Sequence, residues 1–153
     1  MISLFLCLTL FAVQGALMVG DEMVFHHRRE VPKWERVGHP LDTVTALIPF
    51  LIALAFKFEM PWKGTFIAFA ILSCLFVTKD EWVHARLAKG GEQWLHGLLF
   101  TLHPLLFFAA WILWNAEETS WLALQVGLMG VFLAYQTLYW NGPWAPKAHS
   151  DAS

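Results

Sequence analysis

Residues 93–116, QWLHGLLFTLHPLLFFAAWILWNA, form a long run without an aspartate, glutamate, lysine or arginine. A helix that crosses the hydrocarbon core of a bilayer, about 30 Å thick, needs roughly 20 apolar residues, so this run can span a membrane. The whole chain of 153 residues is 58% hydrophobic and only 14% charged. Water-soluble domains are about 25% charged. This deficit predicts an integral membrane protein, and the small net charge of −2 gives no reason to expect a nucleic-acid partner.

Other weakly charged runs lie on both sides of this one. Residues 1–20, 64–78 and 119–146 contain no charged side chain, and residues 37–56 contain Asp42 alone. We predict an all-α, polytopic integral membrane bundle of five transmembrane helices, near residues 2–22, 37–57, 62–83, 92–114 and 118–140. Residues 1–144 then form a single transmembrane domain, and 145–153 a short tail. The first run has the length of a secretory signal, but it lacks a basic start and a clear cleavage site, so we interpret it as a helix.

The basic residues predict the orientation of the bundle. Five spans place eight of the ten lysines and arginines on one side of the membrane: Arg28, Arg29, Lys33, Arg36, Lys79, Arg86, Lys89 and Lys147. Only Lys57 and Lys63 lie on the other side. Because loops rich in lysine and arginine stay in the cytoplasm, we expect a cytoplasmic C-terminus and an external N-terminus. The expected location is the bacterial inner membrane.

Two polar stretches between the runs are related to each other: DEMVFHHRREVPKWERVGH at 21–39 and DEWVHARLAKGGEQWLH at 80–96. The Asp–Glu pairs match at an offset of 59 residues, His26 matches His84 at 58, and His39 matches His96 at 57. Each stretch joins two spans that start from the same side. We infer two parallel helical-hairpin repeats, about 2–57 and 62–114, plus one extra helix near 118–140. The slips between offsets imply that local geometry differs between the repeats.

Carboxylates and imidazoles recur three or four residues apart in these stretches. The pairs are Glu22/His26, Glu35/His39, Glu81/His84 and Glu92/His96. Side chains at this spacing share one helix face. Because the four helix ends lie on one side of the membrane, we predict that these eight side chains converge as metal ligands. Adjacent residues on a helix point about 100° apart, so it stays open whether Asp21 or Glu22, and Asp80 or Glu81, faces the site.

The composition of the ligand set indicates the metal. Carboxylate and imidazole ligands suit iron, manganese or zinc, and eight ligands are too many for one zinc ion. We expect two metal ions, with iron favoured and manganese or zinc as alternatives. Asp42 and His103 lie one and two turns deeper than His39 and His96, at a depth where ionisable groups usually have a function. We predict that these two residues act in catalysis by orienting ligands or relaying protons. A purely structural polar cluster is the alternative.

The pattern resembles that of the membrane-attached di-iron quinol oxidases and quinone hydroxylases. Four-helix di-iron proteins take a glutamate from each of two helices and a Glu-x-x-His pair from each of the others. The residues that carry the resemblance here are Glu22, Glu35, His39, Glu81, Glu92 and His96. The chain departs from the pattern because its pairs have three intervening residues and because His26 and His84 add nitrogen ligands. The membrane desaturases and hydroxylases are a second analogy, but their histidine clusters are absent here.

These observations lead to one functional hypothesis and three rivals. We expect an O2-dependent oxidoreductase that acts on a lipid or quinone, with membrane lipids, a hydrophobic small-molecule substrate and an electron donor as partners. Substrate would enter laterally between the helices. A zinc-dependent membrane lipid hydrolase would use three ligands and an activated water. A haem protein would use His39 or His103 as axial ligands, and a non-catalytic metal-binding subunit would bind metal on the same residues.

Overall fold

The computed structural model describes residues 4–28, 31–81 and 90–143, and these residues form a helical bundle without a β-strand. Its five long helices are α1 (Leu4–Gly20), α2 (Lys33–Ala55), α3 (Trp62–Phe76), α4 (Gly90–Asn115) and α5 (Thr119–Asn141). A π-helical turn, Asp21–Phe25, and a 3-10 turn, His26–Arg28, continue α1, and a 3-10 turn, Val77–Asp80, continues α3. Five helices are long and apolar enough to cross a membrane, which confirms this part of the prediction. The predicted tail, 145–153, lies outside the described residues.

The outer surface of the bundle is apolar. Large side chains such as Phe5 and Val131 are 78% and 72% exposed. A water-soluble monomer rarely exposes large contiguous apolar patches, whereas lipid tails solvate such side chains without cost. The exposed apolar residues are therefore those expected of helices that face a bilayer.

Helix α2 begins earlier than the sequence predicted, at Lys33 rather than near residue 37. Pro32 precedes it in an extended conformation, and a proline suits this place because it has no backbone N–H to leave unbonded. Glu35 consequently lies in the first turn of α2, where a carboxylate interacts favourably with the helix dipole. The early start also places Glu35 and His39 on the same face of one helix.

Three prolines lie inside the described helices, and the carbonyl that Pro40 leaves without a helical N–H is bonded by another helix. Helix α2 continues through Pro40 and Pro49, and α4 continues through Pro104. Pro40 has no N–H to donate to the carbonyl of Arg36, four residues earlier. Asn141 at the end of α5 donates its Nδ2–H to that carbonyl oxygen at 2.8 Å. Pro40 thus leaves a carbonyl of α2 available for a hydrogen bond from α5.

The helices pack in pairs around an aromatic core. The most extensive contacts are those of α2 with α5 and α3, and of α1 with α4. Phe50 of α2 contacts Phe11 of α1 and Phe107 of α4, with ring centroids 5.7 and 6.1 Å apart. One end of the bundle is closed by Trp114, whose Nε1–H donates to the carbonyl oxygen of Phe56 at 2.7 Å. We call this the aromatic end, and the opposite end, which contains Asp21 and His96, the polar end.

Candidate metal centre

The π-helical turn at the end of α1 brings Asp21 and His26 together. In this wider turn the N–H of His26 bonds to the carbonyl of Asp21, five residues earlier. The Nδ1 atom of His26 also lies 3.2 Å from that carbonyl oxygen and 3.3 Å from Asp21 Oδ2. The sequence predicted Glu22 as the neighbour of His26, four residues away on a regular helix. The π turn replaces that spacing, and π turns inside α-helices are frequent at functional sites.

Asp21 lies between two histidines from different helices. Its Oδ2 atom faces His26, and its Oδ1 atom lies 3.1 Å from His96 Nε2 on α4. All three residues are buried, with exposed fractions of 5% or less. The sequence did not decide whether Asp21 or Glu22 faces the histidines. In the structure it is Asp21 that contacts them. Asp21 therefore links His26 and His96 through its two carboxylate oxygens.

Helix α2 contributes His39 and Glu35 to the same cluster. The rings of His26 and His39 have centroids 4.6 Å apart, and His26 Nε2 lies 3.8 Å from Glu35 Oε2. One ligand atom from each of Asp21, His26 and His39 falls within 4.8 Å of the others. Metal–ligand distances are about 2.0–2.2 Å for these residue types, so binding needs small side-chain shifts. We call Asp21, His26, Glu35, His39 and His96 the polar cluster.

The chemistry of the cluster fits a metal ion. A histidine that binds a metal usually donates its other ring N–H to a carboxylate or a backbone carbonyl, which fixes its tautomer. The Nδ1 atom of His26 is placed for this against Asp21 and leaves Nε2 facing Glu35. A proton or a metal ion between Nε2 and the Glu35 carboxylate makes that approach favourable. The alternatives are therefore a metal centre and a charged hydrogen-bond network.

Glu22 is directed towards α5. Its carboxylate accepts a short hydrogen bond from Nε1–H of Trp140 and a longer one, 3.5 Å, from the hydroxyl of Tyr135. The Tyr135 hydroxyl in turn lies 2.6 Å from Nε2 of His27. Glu22 thus connects the end of α1 to α5 beside the polar cluster. Its predicted role as a metal ligand stays a prediction.

The second polar stretch contributes less to the described site. Glu81 accepts a hydrogen bond from Gln93 Nε2–H at 3.0 Å near the surface. Glu92 is buried in the first turn of α4, one turn before His96 on the same face. The predicted ligand His84 lies outside the described residues. Of the eight predicted ligands, the structure brings His26, Glu35, His39 and His96 together.

Asp42 on α2 contacts the 3-10 turn that continues α3, and His103 on α4 contacts α3. Asp42 Oδ1 accepts a hydrogen bond from Lys79 Nζ–H at 2.6 Å. His103 Nε2 lies 3.0 Å from the Ser73 hydroxyl, which lies 3.4 Å from the hydroxyl of Thr45. These contacts are suited to orienting both residues. The catalytic role predicted for them stays a prediction.

A cavity of about 710 Å³ adjoins the polar cluster. Residues of α1, α2, α4 and α5 line it, and Asp21, His39 and His96 form part of its wall at the polar end. Most of the remaining wall is apolar. Val131 is among the lining residues and is also strongly exposed on α5. The cavity therefore reaches from the polar cluster to the apolar surface of the bundle.

Sequence reasoning missed several residues that build this region. Trp140 and Ser73 act through hydrogen bonds to Glu22 and His103, and a tryptophan or serine in an apolar helix gives no signal of such a partner. Gln14 lines the cavity although it lies in the charge-free first run. A lone amide in an apolar span was the available signal for it.

Comparison with protein-family models, with curated proteins and with solved structures finds no match to this chain.

Proposed function

We propose that this chain is an integral membrane metalloprotein that catalyses an O2-dependent oxidation of a membrane-soluble lipid or quinone. The metal centre would be built on the polar cluster, at the cytoplasmic side of the membrane. The observation that carries the proposal is the convergence of buried Asp21, buried His26 and half-buried His39 beside an apolar cavity, with Asp21 and His39 in its wall. Such a set would bring a metal ion and a substrate from the lipid phase together at one end of the cavity.

The donor set favours iron. Two histidines and one carboxylate form the ligand set of non-haem Fe(II) oxygenases, which leaves coordination positions for O2 and substrate. Such a set is supplied by Asp21, His26 and His39, whose ligand atoms approach within 4.8 Å of one another. Bound iron would supply the O2 activation and the redox change. The protein residues hold the ion and exclude water from the apolar cavity.

A second metal ion is supported by the remaining members of the cluster. Glu35 faces His26 from α2, and His96 faces the second oxygen of Asp21 from α4. Asp21, His96 and Glu92 would help to hold the second ion, and the predicted ligand His84 lies outside the described residues.

The packing also supports the predicted duplication. The first helix of each repeat packs against the second helix of the other: α1 contacts α4, and α3 contacts α2. Two hairpins related by a two-fold axis produce this pair of equivalent contacts. Phe50 and Phe107 occupy matching positions in the two repeats and contact each other at 6.1 Å. Residues near an axis of internal symmetry meet their equivalents in this way. A ligand set duplicated around such an axis would favour two metal ions over one.

Polar groups deeper in the bundle would serve proton transfer. Asp42 and His103 both line the cavity. Lys79, in the 3-10 turn that continues α3, donates to Asp42, and Ser73 of α3 contacts His103. The reduction of O2 to water consumes protons, and oxidation of a substrate hydroxyl group releases protons together with electrons inside an apolar cavity. We propose that His103 and Asp42 accept these protons from the substrate side and pass them towards the polar end.

A zinc-dependent lipid hydrolase is the second candidate. Catalytic zinc sites use three protein ligands and a water molecule, and the set of Asp21, His26 and His39 has that number. Glu35 would act as the base that activates the water. This candidate needs one metal ion and neither O2 nor an electron donor.

The metal content of the purified protein tests the proposal. Protein purified in detergent without chelator is analysed for metals, and O2 uptake is measured with a reduced electron donor. We expect two irons per chain. The matched variants are His26→Ala and His27→Ala, because these neighbours differ in that His26 is 1% exposed and lies in the cluster, whereas His27 is exposed.

Each outcome has a definite meaning. His26→Ala is expected to lose metal while His27→Ala retains it. One zinc per chain without O2 uptake would replace the oxidase by the hydrolase. Protein that binds no metal, even after reconstitution with Fe(II), Mn(II) or Zn(II), would show that the polar cluster is a hydrogen-bond network that joins the helices.

A further inference from the structure

Gln14 on α1 is a buried polar residue in the wall of the cavity. Its side chain is 5% exposed, and its Oε1 atom has no hydrogen-bond partner within the described part of the chain. It precedes Asp21 by seven residues, so it lies about 10 Å deeper along the helix axis. Buried acceptors in native proteins are nearly always satisfied, and an exception calls for an explanation. A ligand with a hydrogen-bond donor is one.

Neighbouring polar residues do not satisfy this acceptor. Thr43 and Gln136 also line the cavity, but the hydroxyl of Thr43 donates to Oε1 of Gln136 at 2.7 Å. His103 is engaged with the Ser73 hydroxyl at 3.0 Å. Among the described side chains of the wall, none therefore donates a hydrogen bond to Gln14 Oε1. A molecule bound in the cavity can supply this donor.

The rest of the wall indicates what carries that donor. Aromatic side chains from three helices line the cavity: Phe11, Phe100, Trp121, Phe132 and Tyr135. Aromatic side chains favour offset or edge contacts with another ring. The cavity volume of about 710 Å³ lies within the range of sites that enclose one small organic molecule. A ring with a hydroxyl group and an apolar tail matches both the wall and the acceptor.

We propose that the cavity binds a lipid-soluble phenol, with its hydroxyl donating to Gln14 Oε1, its ring among the aromatic side chains and its tail towards the exposed apolar surface. The inference rests on the proposed function in one respect, since it names the substrate class of the same site. Diacyl phospholipids fit less well. Their chains carry no donor, and their headgroups stay at the interface, whereas Gln14 lies well inside α1.

The test compares two probes that differ in one donor. Isotopically labelled 4-decylphenol and 4-decylanisole are equilibrated with the full chain in nanodiscs, and bound probe is corrected for partition into empty nanodiscs. We expect the phenol to bind about 10-fold more tightly than its methyl ether, because about 1.4 kcal/mol from one satisfied acceptor is a tenfold change in affinity. Gln14→Met, which keeps side-chain length, should abolish this preference while anisole binding changes little. Gln125→Met is the matched control, since Gln125 also lines the cavity.

Two results would overturn the inference. The first is equal binding of phenol and anisole to the wild-type chain. The second is a phenol preference that survives Gln14→Met in protein whose helicity and elution volume match wild type. Labelled 1-tetradecanol provides a further arm: an aliphatic alcohol that binds as tightly as the phenol would overturn the aromatic class.

The metal proposal and the ligand proposal fail separately. Binding is measured on chelator-treated protein, and metal content is measured on separate samples. Gln14-dependent phenol binding by a protein that never takes up metal would leave a phenol-binding site and remove the oxidase. A metal-loaded protein without a phenol preference would keep the metal centre and remove the assigned substrate class.

Discussion

The hydrogen bond from Trp140 to Glu22 allows a quantitative test of how α5 is attached to the polar end. Both side chains are buried, and the indole Nε1–H donates directly to the Glu22 carboxylate. Trp140→Phe removes the donor and part of the ring packing, and Glu22→Gln removes the negative charge of the acceptor. A double-mutant cycle isolates the interaction between the two groups from the lost packing.

The expected coupling follows from two opposing considerations. Hydrogen bonds to charged groups contribute about 1.5–3 kcal/mol in proteins. Side-chain hydrogen bonds between membrane helices average about 0.6 kcal/mol, because groups in the unfolded chain also find partners in the membrane. Since the acceptor is charged and buried, we expect a coupling of about 1–2 kcal/mol, or a factor of roughly 5–30 in the unfolding equilibrium.

The assay is equilibrium unfolding of the four metal-free proteins in mixed micelles titrated with SDS, followed by pulse proteolysis. A control cycle pairs Glu22→Gln with Trp114→Phe. Trp114 donates to the Phe56 carbonyl at the aromatic end, so these two changes should add within about 0.5 kcal/mol. A coupling between Trp140 and Glu22 no larger than the control value would refute the charge-assisted contact and the attachment of α5 through it.

Three further outcomes are expected. Asn141→Leu should destabilise the wild-type chain by about 0.5–1 kcal/mol in the same unfolding assay. The loss should be smaller in a Pro40→Ala background, because an N–H at residue 40 can bond to the Arg36 carbonyl, and an equal loss in both backgrounds would contradict this. Lys79→Met should lower the free energy of unfolding by about 1–2 kcal/mol, because it leaves the carboxylate of Asp42 without its ammonium partner, and the loss should be smaller in an Asp42→Asn background. Lys63→Met, which removes an ammonium group over the Phe58 ring, is the control with the smaller expected effect. His96→Ala should lower bound metal in elemental analysis whereas His149→Ala should not, and equal metal content in the two variants would remove His96 from the centre.

The five helices could be predicted from the sequence because membrane insertion depends on a local property. A run of apolar residues long enough to cross a bilayer must form a helix, since no water is present to satisfy an open backbone. The predicted spans therefore overlap the five helices. The differences are the early start of α2 at Lys33 and the end of α3 at Phe76, where a 3-10 turn follows although the span was predicted to reach residue 83. That start depends on Pro32, a local signal which the count of charged residues ignores.

The identity of the carboxylate at the histidines could not be predicted. The sequence offered Asp21 and Glu22, and a regular helix favoured Glu22 at four residues from His26. The π turn widens the helix there and brings Asp21 to His26 instead. This turn lies where the offset between the two polar stretches changes from 59 to 58 residues. The slip is visible in the sequence, but the form in which the backbone absorbs it depends on packing.

The sequence by itself determined the class of this protein: five helices long and apolar enough to span a membrane, with a concentration of histidines and carboxylates at one end. These features follow from local hydrophobicity and from spacing along single helices. Only the tertiary structure decided which side chains meet, because contacts such as Asp21 with His96 and Thr43 with Gln136 join helices that are far apart in the chain. It also decided that Gln14 lines the cavity, since the direction of a side chain depends on how its helix is rotated against its neighbours.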